Sequence, residues 1–60
     1  MRFKVGDYVI PKPGWIGDPN NVPSGMVREI APWGKDGALY VGDDHRAFAA
    51  YVFDIDVNKL

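Results

Sequence analysis

The 60-residue chain has no cysteine, no threonine, one serine (Ser24) and one histidine (His45). Without cysteine, a disulfide framework, a thiolate metal ligand and thiol chemistry are all excluded. With Ser24 isolated in a loop segment, no nucleophile–base pairing is visible. The seven glycines are scattered and none opens a helix after a strand, so no phosphate-cradling loop is present. No apolar run approaches the roughly 20 residues that cross a bilayer. Met1-Arg2-Phe3-Lys4 leads straight into a strand pattern, without the apolar core of a signal peptide. The expectation is a soluble, cytoplasmic, non-enzymatic chain that carries no cofactor and no metal.

Sixty residues allow a single domain, 1–60, around one small core. A chain of this size buries only about 60% of the surface that its unfolded form exposes, which is near the lower limit for folding alone. The net charge is −1, too little for a strongly electrostatic nucleic-acid binder, although a local basic patch stays open. The charge is unevenly spread. Residues 1–35 hold five bases and three acids, and residues 36–60 hold two bases and five acids. Folded around one core, such a chain presents a mildly basic and an acidic side.

What is abundant is concentrated. The segment Pro11 to Gly25 (PKPGWIGDPNNVPSG) carries four of the five prolines, three of the seven glycines, and a tryptophan, Trp15, within a Gly14-Trp15-Ile16-Gly17 stretch. Proline lacks an N–H and restricts the residue before it, so neither helix nor central strand fits here. Asp18-Pro19-Asn20-Asn21 is a turn cluster inside it.

Strand candidates flank this segment. Phe3 to Ile10 has Phe3, Val5 and Val9 on one parity and Tyr8 and Ile10 on the other, with Gly6-Asp7 as a local turn or bulge. Met26 to Ile30 is a second strand, ended by Ala31-Pro32-Trp33-Gly34. Lys35-Asp36-Gly37 offers a tight turn into a third, Ala38 to Val41, closed by Gly42-Asp43-Asp44.

Residues 45–57 allow two readings. Phe48, Tyr51, Val52 and Ile55 fall at i, i+3, i+4 and i+7, the spacing of a helix with Asp44 as its cap. Alternatively Arg46 to Val52 is a fourth strand, followed by a 3-10 turn at Phe53-Asp54-Ile55 and a closing strand from Val57 to Leu60. A five-stranded barrel exposes fewer strand edges than a sheet with one helix, and it suits short strands separated by glycine and proline.

Val5-Gly6-Asp7-Tyr8-Val9, the long loop after it, and Gly25-Met26-Val27-Arg28-Glu29-Ile30 follow a recognisable order. Leu39-Tyr40-Val41, the turn at Asp43-Asp44 and Ala50-Tyr51-Val52 continue it. This order resembles the small SH3-like barrels of the Tudor, KOW and adaptor-domain kind. The resemblance implies an all-β, five-stranded SH3-like barrel with a long first loop and a 3-10 turn before the last strand. The opening lacks the Ala-Leu-Tyr-Asp-Tyr stretch and the acidic first loop of proline-peptide binders.

The leading function is an interaction or accessory module that binds a protein partner through the first loop and adjacent aromatics: Tyr8, Trp15, Ile16, Trp33 and Tyr40. The alternative is a nucleic-acid-binding barrel. It would use Arg2, Lys4, Lys12, Arg28, Lys35 and Arg46, with exposed aromatics as stacking platforms. That alternative requires at least four of the bases on one face and Asp43-Asp44 away from it. His45 beside Asp43 and Asp44 lacks the further ligands of a metal site and reads as a solvated turn. Asp54 and Asp56 read as surface groups around a buried Ile55, not as an acid–base pair.

Overall fold

The computed structural model describes residues 3–17 and 21–59. Phe3 to Ile10 does not form one strand, because Gly6 turns it. Gly6 has φ +99° and its N–H donates to the Val27 carbonyl at 2.9 Å. The Asp7 N–H donates to the Lys4 carbonyl, and the Asp7 carboxylate accepts the Lys4 N–H, both at 3.0 Å. The turn breaks the expected parity: Phe3 and Val9 are buried, while Val5 is 60% exposed. Strand β1 is therefore only Tyr8–Pro11.

Pro11 does not end the pairing, as its chemistry suggested; it lies opposite Phe53. The Lys12 N–H reaches the Val52 carbonyl at 2.8 Å, so the hydrogen-bonding groups of residue 11 point away from β5. A proline is tolerated where no ladder N–H is needed.

Strands β2 (Gly25–Ala31), β3 (Ala38–Val41), β4 (Ala47–Ala49) and β5 (Phe53–Ile55) complete an antiparallel sheet with the order β4-β3-β2-β1-β5. The connection from β2 to β3 covers residues 32–37, which contain the Pro32-Trp33-Gly34 stretch and the Lys35-Asp36-Gly37 turn. In β2 the register shifts between Val27 and Glu29, making Arg28 the extra residue of a bulge. The bulge lets Val27 and Ile30, three residues apart, both pack on the core side.

The sheet is open, which corrects the SH3-like barrel implied by the resemblance. Its end strands β4 and β5 are not hydrogen-bonded to one another. The chain between them explains why. Ala50–Val52 is a 3-10 turn; the Ala50 N–H is held by the Gly37 carbonyl beside β3, and the Val52 carbonyl by Lys12 beyond β1. The turn thus carries the chain from one end of the sheet to the other, and each three-residue end strand finds a single neighbour. An all-β, five-stranded antiparallel sheet with a long first loop and a 3-10 turn before the last strand remains.

That turn lies three residues earlier than the sequence suggested. Phe53–Ile55 is strand, and Val57–Lys59 is a further 3-10 turn where a closing strand was expected; Leu60 is outside the described residues. The helical spacing in residues 45–57 is also not realised. Ala50 is buried while Tyr51 is 57% exposed, the reverse of an apolar helix stripe.

The core consists of Phe3, Val9, Val27, Leu39, Val41, Ala50, Val52 and Phe53, with Trp15, Val22, Ile30, Phe48 and Ile55 packed around it. Full burial of one such aliphatic or phenyl group contributes about 1.5–3 kcal/mol. Among the described residues no polar or charged residue is buried. No helix among them is long and apolar enough to cross a membrane.

Candidate protein-binding surface

The first loop is anchored at its start. From Lys12, tied to Val52, the chain enters a 3-10 turn at Pro13–Trp15, with proline in the first helical position where its fixed φ is suitable. The Trp15 N–H donates to the Lys12 carbonyl at 2.8 Å, and the Ile16 N–H to the Pro13 carbonyl at 3.4 Å. This turn points the indole inward. Trp15 is half-buried against the core, and its ring meets Tyr51 edge-on, with centroids 6.3 Å apart and planes at 63°. Such a pair contributes about 0.5–1.5 kcal/mol beyond area burial.

Ile16, next in the chain, is 65% exposed. At this corner Trp15 anchors the loop, while its chain neighbour Ile16 and its ring partner Tyr51 face solvent. Tyr51 was not among the candidates from sequence. Its signal was the helix-like spacing of residues 48–55, which grouped it with core positions and hid its exposure.

The other aromatics lie elsewhere. Tyr8 is exposed on the outer face of β1, opposite Met26 and beside Ile10, both also exposed. Trp33, at 53% exposure, sits in the connection between β2 and β3. Tyr40 is half-buried in β3, paired with Glu29 and Ala47. The Arg28 guanidinium lies 5.2 Å from its ring centre. The five candidates thus lie on several elements of the fold, with Trp15 and Ile16 adjacent in the chain.

Two of the candidate bases are drawn together, at the turn between β3 and β4. Arg28 donates through Nε to the Gly42 carbonyl at 3.0 Å and through Nη2 to the Asp44 carbonyl at 2.6 Å. Arg46 grips the Asp44 carboxylate with Nε at 3.0 Å and Nη2 at 2.8 Å, and its backbone N–H adds a third bond at 2.8 Å. Its Nη2 also reaches the Asn21 carbonyl at 3.4 Å, and the guanidinium lies 4.9 Å from the Phe48 ring centre.

The Arg46 side-chain hydrogen bonds, and then its backbone N–H, lower the Asp44 pKa to about 2; the same contact raises that of Arg46. Lys4 and Lys35 are exposed in separate turns, and Lys12 is half-buried at the start of the first loop. Arg2 lies outside the described residues.

His45 and Asp43 are exposed in the same turn. Among the described residues no group of three His, Cys, Asp or Glu is placed to hold a metal ion. Comparison of the chain with protein-family models, curated proteins and solved structures gives no match.

Proposed function

We propose that this chain is a small, non-enzymatic, cytoplasmic interaction module that binds a protein partner through its first loop. The observation that carries this is the Trp15–Ile16–Tyr51 corner. A half-buried indole is fixed at the corner by backbone hydrogen bonds, beside an isoleucine and a tyrosine left largely in solvent. An aromatic that is already ordered loses little entropy on binding, and tryptophan and tyrosine are enriched among the residues that dominate interface energies.

Nucleic acid is the less favoured partner. Arg28 and Arg46 direct their donors at the carbonyls and carboxylate of the Gly42–Asp44 turn. Two of the bases therefore lie beside the very acids that a phosphate-binding face has to avoid.

Two measurements separate the partners. Retention on random oligonucleotide across a salt series is expected to be absent even at low salt; strong retention falling steeply with salt would overturn the protein-binding assignment. Partner capture by an Ile16→Glu variant, with folding checked independently, is expected to be lost.

A further inference from the structure

We infer that Asp36 is a site of spontaneous isomerisation, at which the main chain reroutes through the aspartate side chain, and that the product loosens the tie between Gly37 and Ala50. Asp36 is the only aspartate or asparagine in the chain that is followed by glycine. It lies exposed in the connection between β2 and β3, with Gly37 half-buried after it.

The reaction needs a free carboxyl group and a free main-chain nitrogen beside it. Among the described residues nothing hydrogen-bonds to the Asp36 carboxyl, and the Gly37 N–H donates to no acceptor. Gly37 has no side chain to screen its nitrogen, and its φ of +81° is one that glycine takes without strain.

The other aspartates are held back. The Asp7 carboxylate accepts the Lys4 N–H, Arg46 grips that of Asp44, and that of Asp56 accepts the Asn58 N–H. After Asp43, the Asp44 N–H is bonded to the Val41 carbonyl at 3.2 Å. Asp54 precedes Ile55 within β5, where a branched side chain crowds the nitrogen. Asp18, outside the described residues, precedes a proline, whose nitrogen carries no hydrogen.

In the first step the Gly37 nitrogen attacks the Asp36 Cγ. An N–Cγ bond forms, and the amide hydrogen leaves with a carboxyl hydroxyl as water, closing a five-membered imide. Water then adds back. Opening at Cγ restores aspartate; opening at the Asp36 main-chain carbonyl leaves Gly37 joined through Cγ and a carboxylate on Cα. The mass is unchanged and no other reactant is consumed.

The product lengthens the main chain by one carbon immediately before Gly37. The Gly37 carbonyl holds the Ala50 N–H at 3.0 Å, where the 3-10 turn between β4 and β5 begins. Ala38, next in the chain, is fully buried and paired with both Ala31 and Ala49. With Ala38 fixed, the added atom displaces Gly37, and the bond to Ala50 is the first to weaken.

The test incubates the wild-type chain at neutral pH, folded and in guanidinium, and follows isoaspartate by enzymatic methylation and by electron-transfer fragmentation. Isoaspartate is expected at residue 36 of the folded chain, at a rate within about tenfold of that in guanidinium. Asp36→Glu, which cannot close a five-membered ring, is expected to accumulate none there. In the purified isoaspartyl form, the Ala50 amide is expected to exchange roughly two- to tenfold faster than in the unmodified chain, as loss of one backbone hydrogen bond allows.

No isoaspartate at residue 36, or a folded-state rate more than about tenfold below that in guanidinium, would overturn the site, because the fold would then restrain the turn. Unchanged Ala50 exchange in the isoaspartyl form would overturn its link to the turn between β4 and β5.

Discussion

The ring of Trp15 meets that of Tyr51 edge-on, and this contact joins the first loop to the 3-10 turn between the two end strands. It closes over the core without a backbone ladder.

Trp15→Ala is expected to destabilise the chain by about 2–3 kcal/mol, somewhat less than a fully buried tryptophan. Tyr51→Ala removes a mostly exposed ring and costs less. A double-mutant cycle by urea denaturation should give a coupling of about 0.5–1.5 kcal/mol between the two. Strictly additive losses would show that the edge-on contact contributes nothing.

Asp44 makes stability depend on acid pH in a defined direction. Its carboxyl titrates at about 2 in the folded chain, against an ordinary 3.8, because Arg46 favours the charged form. The folded state therefore binds this proton less readily than the unfolded state. The stability it contributes is complete above about pH 3.8, declines as pH falls toward 2, and is absent below that. Asp44→Asn should flatten this part of the pH profile, read from melting temperatures between those two values.

Gly25 opens β2 at φ +141°, where residues with a side chain are strained. A Cβ there would lie 3.7 Å from the Val41 Cγ1, an ordinary contact, so the cost is conformational, not steric. Gly25→Ala should lower stability by about 1–3 kcal/mol with the fold retained, measured by thermal denaturation and circular dichroism.

Phe53 is fully buried at the start of β5. Phe53→Ala should cost about 3–5 kcal/mol. A chain of this length has a total stability of only roughly 3–9 kcal/mol, so much of the population should be unfolded at room temperature, visible as loss of dispersion in the amide spectrum.

The central strands were legible because they are governed by local chemistry. Ala38–Val41 is bounded by glycines and apolar throughout, and it forms as its composition indicates. The break at Gly6 was visible, but its effect on Val5 was not, since that depends on the bond from Gly6 to Val27 in another strand. Residues 45–57 were ambiguous because Phe48 and Val52 fit the spacing of a helix face and of an alternating strand alike. Long-range ties from Ala50 to Gly37 and from Lys12 to Val52 settle the matter, and no local pattern encodes them. The same ties leave the sheet open.

At the surface, Trp15 and Ile16 were marked by their glycine neighbours, yet their companion Tyr51 is brought in only by the fold. Arg28 and Arg46 looked like free bases in sequence. The β2 bulge and the turn after β3 direct both toward Asp44.

Ile16→Glu offers the most direct measurement, because Ile16 is the exposed member of the corner and contributes little to the core. Circular dichroism and thermal denaturation of the variant should match the wild type, while partner capture by the same preparation is lost. Equal capture by the folded variant and the wild type would contradict the assignment of the Trp15–Ile16–Tyr51 corner as the binding surface.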